Sequence, residues 1–348
     1  MNLENGFLGF EMNLHQSVKS VYSNYFVDPD PDQLLRVSVA YGFKRARLQN
    51  VYNVLRGKDL ESGEFSDNRR NKQFKVLQKS QAEVLDIQNW HEFLKTIVSA
   101  GYKKNEMISS EVGLFYSYAF YLIGKNDYKV DRYELRKTIS RWFFMTSLTA
   151  RYSSSPETKM EQDLINLRGL KTSQEFLDHL NKVIDETLTD DFWGIQLSNN
   201  LTTSSSRNPS LLAYYAALNL LGAKGLFSNI KVSDLLETGL RSNKSPLERH
   251  HLFPKAYLRK IGIDEMRDQN QIANYALVEW TDNIKISDTP PAKYFPRYSS
   301  RFSNRELSKM MRMHALPNEW ERMDYFDFLI SRRKLMSTII KKGFEKLL

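Results

Sequence analysis

Two of the six histidines, His250 and His251, are adjacent. A neutral imidazole can hold a divalent cation, and a second imidazole can take a proton from water. Hydrolysis of a phosphodiester needs those parts: an activated water, a cation on the scissile phosphate and charge relief for the leaving oxygen. Neighbours in a strand point to opposite faces. Where a strand passes into a loop, both rings can aim at one small site from different directions. The other histidines, His15, His91, His179 and His314, are isolated and are expected to be ordinary surface or core residues.

The pair sits in the basic part of the chain. The net charge is +9 over 348 residues. Residues 241–348 hold 21 Lys+Arg and 13 Asp+Glu, a net of +8, whereas the first 240 hold 29 and 28, a net of +1. A basic block on a neutral protein suits a polyanion, most often nucleic acid. The alternative is a well-solvated helix surface. Cysteine is absent, which excludes a disulfide framework, a thiol nucleophile and any Cys-ligated zinc or iron–sulfur centre. Any metal must be held by His, Asn and carboxylates. No stretch approaches a membrane span, and the first residues, MNLENGFLGFEMNLHQ, lack a secretory pattern. A cytoplasmic protein with no membrane partner is expected.

The elements around the pair read as follows. Up to about residue 240 the chain shows helices joined by polar breaks. Asp131 with Glu134 starts a helix whose face carries Leu135, Ile139, Trp142, Phe143 and Thr146. Thr172 and Glu175 repeat that signal. Asn208-Pro209 opens LLAYYAALNLLG, which Gly222 ends. Residues 31–56 and 81–100 are further helix candidates. Then the pattern changes. YALVEW at 275–280 predicts a short strand, and TDNIKISDTPP predicts one or two helical turns stopped by Pro290-Pro291. From Asn304 the chain is helical again, broken at Pro317. In the last helix Leu329, Met336, Ile340 and Phe344 form a stripe, with Arg332, Arg333, Lys334, Lys341, Lys342 and Lys346 as charge around it.

ERHHLFP, then Asn274 leading a hydrophobic strand, then Asn283 in TDNIK, resembles the HNH, or ββα-metal, endonuclease motif. The 9-residue step from Asn274 to Asn283 fits a strand, a turn and the first turn of a helix. Pro254 and Lys285 also match positions common in that family. The resemblance spans about residues 242–295. It implies that His251 is the general base, that His250 and Asn283 bind the cation, and that Asn274 braces the loop and the base. Asn270 competes for the Asn274 role but precedes the strand. The resemblance assigns phosphate contacts to Lys285, and Arg249 and Lys255 are further candidates for DNA contacts. His250 stands where the family often has Asp. The softer, less charged site admits Mn²⁺, Co²⁺ or Ni²⁺ beside Mg²⁺.

A wider resemblance covers more of the chain. ERHHLFPKAYL with NQIANYALVEWTDN is similar to the C-terminal nuclease region of GmrSD-like restriction proteins. TARYSSSPETKMEQDL and LLAYYAALNLLGAKGLF are similar to their helical middle. That family carries an N-terminal nucleotide-sensing domain with a DGQQR-type motif, which this sequence lacks. The resemblance therefore implies the helical middle plus the HNH end, with the sensing domain elsewhere in a longer protein or on a partner subunit.

The expected fold is mainly α with a small α+β module: a helical domain over 1–240, a ββα-metal nuclease module over 241–300, and basic C-terminal helices over 301–348 packing on that module. The expected activity is metal-dependent hydrolysis of DNA, by nicking or cleaving, within a restriction or phage-defence role. RNA uses the same chemistry. The alternative is a catalytically degenerate HNH-like fold that binds DNA or a protein.

Overall fold

The computed structural model describes residues 29–59, 62–237 and 247–348. The expected boundary near 240, the N-terminal stretch read for a signal and His15 lie outside them. The described residues are mainly helical with one two-stranded sheet. No helix among the described residues is long and apolar enough to cross a membrane. The described residues fall into two compact units, those up to residue 100 together with 108–186, and residues 101–107 together with those from 187 onward.

The first unit is built from helices whose starts are set locally. Asp131 caps the Arg132–Leu148 helix by accepting from the Tyr133 and Glu134 amides at 2.8 and 3.2 Å. Glu175 and Thr172 cap each other ahead of Ser173–Thr187, Glu175 accepting from the Thr172 amide and Thr172 Oγ1 from that of Glu175. The 31–56 candidate is two helices, Pro31–Phe43 and Leu48–Leu55, because Lys44 turns left-handed at φ 54°. Likewise Asp86 interrupts the 81–100 candidate, ending Asp67–Leu85 and capping Ile87–Ser99. The Glu111–Asn126 helix has no amphipathic signature, since GLFYSYAFYLIG is buried all round.

TARYSSSPETKMEQDL owes its character to buried braces. Arg151 makes a two-point ion pair with Asp163, at 2.9 and 2.7 Å, and Tyr152 donates to the same carboxylate at 2.8 Å. Glu161 accepts from the Ala46 and Arg47 amides and from the Arg45 and Asn50 side chains. Each buried carboxylate is thus paired, as burial demands.

In the second unit, Pro209–Leu220 packs along Tyr325–Glu345. Asn208 caps the former through the Ser210 and Leu211 amides. The two helices approach so closely at Gly343 that a Cβ there would collide with Ala217. Leu329, Met336, Ile340 and Phe344 are buried as the stripe predicts. Arg332 is not part of the charged surround, however. It is fully buried and donates to two backbone carbonyls, Ala273 and His314. A guanidinium is long enough to cross an apolar stripe, which periodicity alone does not reveal.

Strand β1 (Leu247–His251) pairs antiparallel with β2 (Tyr275–Glu279), with His251 opposite Tyr275 and His250 opposite Ala276. The Trp280–Ile286 helix follows β2 directly. It ends where Ser287 turns to φ 49°, before the prolines. Pro291 then opens a further helix, Pro291–Ser299, because proline is tolerated in the first turn.

His314 is a core histidine. It is buried, and its Nε2–H donates to the Lys224 carbonyl at 2.9 Å. Burial pushes its pKa down to about 4 against the pull of that carbonyl, and Arg332 lowers it further. The folded state therefore prefers the neutral ring. This contribution is complete above the unfolded value, about 6.5, declines as the pH falls, and is gone near pH 4. His314→Gln keeps a donor but does not titrate. Between pH 7 and 4, wild-type protein should lose about 3 kcal/mol more stability than His314→Gln. Urea melts at both pH values read the difference, and parallel losses would refute it.

Candidate active site

The site is built on the turn from β1 into the following helix. His250 is buried, and its Nδ1 lies 2.7 Å from Asn283 Oδ1 on the Trp280–Ile286 helix. The ring meets Tyr294 edge to face at 5.8 Å, and its Nε2 is buried without a hydrogen-bond partner. The strand pleat sends His251 to the other face. There its Nε2 lies 3.1 Å from Asn270 Oδ1, and its ring packs 4.6 Å from that of Tyr275. The two histidines thus serve opposite sides of the strand end, His250 toward Asn283 and His251 toward Asn270.

Asn274 holds the loop. It is fully buried, and Oδ1 accepts from the Phe253 amide at 2.8 Å. Its Nδ2 donates to the carbonyls of Phe253 and Gln269 at 3.0 and 3.1 Å, and its own carbonyl accepts from the Leu252 amide. One side chain ties the segment after β1 to the segment before β2. Its side-chain hydrogen bonds go to backbone groups of Phe253 and Gln269, not to His251. The His251 ring is hydrogen-bonded to Asn270 instead.

Two residues that spacing did not single out support this turn. Tyr294 donates to the Leu252 carbonyl at 2.8 Å. Arg332 donates to the Ala273 carbonyl at 2.6 Å, one residue before Asn274. Neither stands out in the sequence, because each reaches the loop from a distant helix.

Burial dominates the electrostatics. Desolvation pushes His250 down to about 4 against the Asn283 hydrogen bond, with His251 adding to the decrease. His251 is also lowered, by burial first, then by the Lys255 and Arg249 cations, while Asn270 opposes. Both rings are therefore kept uncharged near neutral pH, the state in which imidazole binds a cation or takes a proton. Arg249 is exposed, its guanidinium 5.9 Å from the Tyr275 ring centre. Lys285 is exposed two residues beyond Asn283, and Lys255 is half-buried.

No group of three or more His, Asp or Glu that could hold a metal gathers among the described residues. The available donors are one imidazole nitrogen and one amide oxygen. At 2.7 Å the two make a hydrogen bond in which His250 Nδ1–H donates, since an amide oxygen only accepts. A small divalent ion held by both atoms would replace that proton and set them about 3 Å apart for bonds near 2.1 Å. Two neutral protein donors leave most positions to water and substrate oxygens, a common arrangement for such ions.

No protein-family profile matches the chain, and no solved structure matches it. Over 281 residues it is 24% identical to the uncharacterized protein MJ0686 of Methanocaldococcus jannaschii. That alignment takes in 80% of this chain and 41% of the archaeal protein, so the chain spans less than half the length of that relative.

Proposed function

We propose that the second unit carries a ββα-metal endonuclease site and hydrolyses phosphodiester bonds in DNA, as the nuclease part of a restriction or phage-defence protein. The observation that carries this reading is the pairing of His250 with Asn283 on one side of the β1 end and the placement of His251 on the other. In-line displacement at phosphorus puts the attacking water and the leaving oxygen on opposite sides, so the base and the cation must also be separated. His251 takes the proton from the attacking water. His250 and Asn283 would hold the divalent cation, Mg²⁺ or Mn²⁺ with Co²⁺ and Ni²⁺ tolerated. When bound, the cation supplies charge relief to the phosphate and the leaving 3′ oxygen. Asn274 ties the segment just after His251 to the segment before β2. Arg249, Lys255 and Lys285 supply positive charge for backbone phosphates. A nucleotide-sensing domain or subunit would govern the activity.

A second reading is a degenerate module that binds DNA or a protein without cutting. It is favoured by the direct 2.7 Å contact of His250 Nδ1 with Asn283 Oδ1, which pairs these two atoms without a cation. Calorimetric titration with Mn²⁺ separates the two. The nuclease reading expects one site per chain, weakened about 10-fold or more in His250→Ala and in Asn283→Ala. Absence of binding, or binding indifferent to both substitutions, favours the degenerate module.

A further inference from the structure

We propose that Asn270, backed by Tyr275, is the positioning residue that holds His251 with Nε2 protonated and Nδ1 presented as the base. This inference rests on the nuclease reading and assigns within it a role that Asn274 does not fill.

The argument begins with one oxygen. Asn270 Oδ1 lies 3.1 Å from His251 Nε2 and 3.2 Å from the Tyr275 hydroxyl. An amide oxygen can only accept. Both neighbours must therefore donate, so the imidazole proton sits on Nε2 and the lone pair on Nδ1. The Tyr275 ring, 4.6 Å from that of His251, limits rotation of the imidazole while its hydroxyl steadies the acceptor.

Asn270 is itself held from both sides. Its amide donates to the Met266 carbonyl at 3.0 Å, closing the short Met266–Gln269 helix. The preceding Gln269 is buried, donates to the Ile263 and Asp264 carbonyls, and accepts from Asn274 Nδ2. The two asparagines thus divide the work. Asn274 ties the loop together through Gln269, and Asn270, one residue on, aims the base.

The choice of an amide has a physical reason. A carboxylate in this place would orient the ring equally well and would stabilise the imidazolium. It would also add a negative charge where Arg249 and Lys255 gather positive charge near His251 for a polyanion. A neutral acceptor aims the base without repelling phosphate.

The test uses protein labelled with ¹⁵N-histidine, without metal or DNA, at pH 8, where the ring is neutral. His251 is identified by the signals lost in His251→Gln. In wild-type protein its Nε2 should carry a visible, exchange-protected proton. Asn270→Ala should lose that protection and lower single-turnover cleavage about 10- to 100-fold with DNA affinity unchanged within twofold. Asn270→Asp should keep the protected Nε2–H and recover much of the turnover, at a raised KM. A wild-type ring protonated at Nδ1 overturns the proposal. So does a spectrum unchanged in Asn270→Ala, or cleavage unaffected by that substitution. Failure of wild-type protein to cut any DNA would fall on the nuclease reading, because the spectrum is recorded without substrate.

Discussion

His251→Ala is expected to slow cleavage of DNA by about 10²- to 10⁴-fold, the usual contribution of a positioned general base. DNA affinity should stay within a few-fold of wild type, because phosphate contacts fall to exposed basic groups such as Arg249 and Lys285. The fold should tolerate the change. His251 is only half-buried, and its ring meets Asn270 and Tyr275. Single-turnover rates and binding isotherms on one preparation separate the two effects. A parallel loss of rate and affinity would show that His251 binds DNA or supports the fold and does not take the proton.

The largest expected effect on stability belongs to Arg332. It is a buried cation with two carbonyls for partners, Ala273 and His314. Burial lowers its pKa, and Tyr214, Tyr215 and Tyr294 oppose that. Arg332→Ala removes the donors and opens a cavity, and it should cost about 3–5 kcal/mol. Arg332→Met fills much of the volume and removes the desolvated charge. Its expected cost is about 1–3 kcal/mol, for the carbonyls left unpaired. Chemical denaturation of the three proteins gives the order. Two variants within about 0.5 kcal/mol of wild type would refute the account of Arg332, since that is the scatter of inert surface changes.

These two residues mark where the sequence is and is not legible. Features set within a few residues are readable. Asp131 with Glu134, Thr172 with Glu175 and Asn208 before Pro209 act through local backbone amides, and each starts a helix. The strand at 275–279 is likewise marked by its own composition. The Glu111–Asn126 helix is not legible, because a helix buried on every side loses the polar face that periodicity detects. Arg332 is misplaced for a related reason: a cation on an apolar stripe suggests solvent until distant carbonyls are found around it. Spacing brings His250, His251, Asn274 and Asn283 to one neighbourhood, but it cannot divide labour between Asn270 and Asn274. Both flank the same loop, and only the three-dimensional turn shows that Asn274 meets backbone while Asn270 meets the imidazole. Pro290-Pro291 reads as a stop, but the preceding helix already ends at Ile286 and Pro291 begins the next one.

The most direct test of the nuclease site is conversion of supercoiled plasmid DNA by the purified protein, together with its regulatory partner where one exists. Open-circular or linear product should form with Mg²⁺ or Mn²⁺, cease on chelation, and be absent with His251→Ala. No conversion with either ion, or equal conversion by wild type and His251→Ala, would contradict the account.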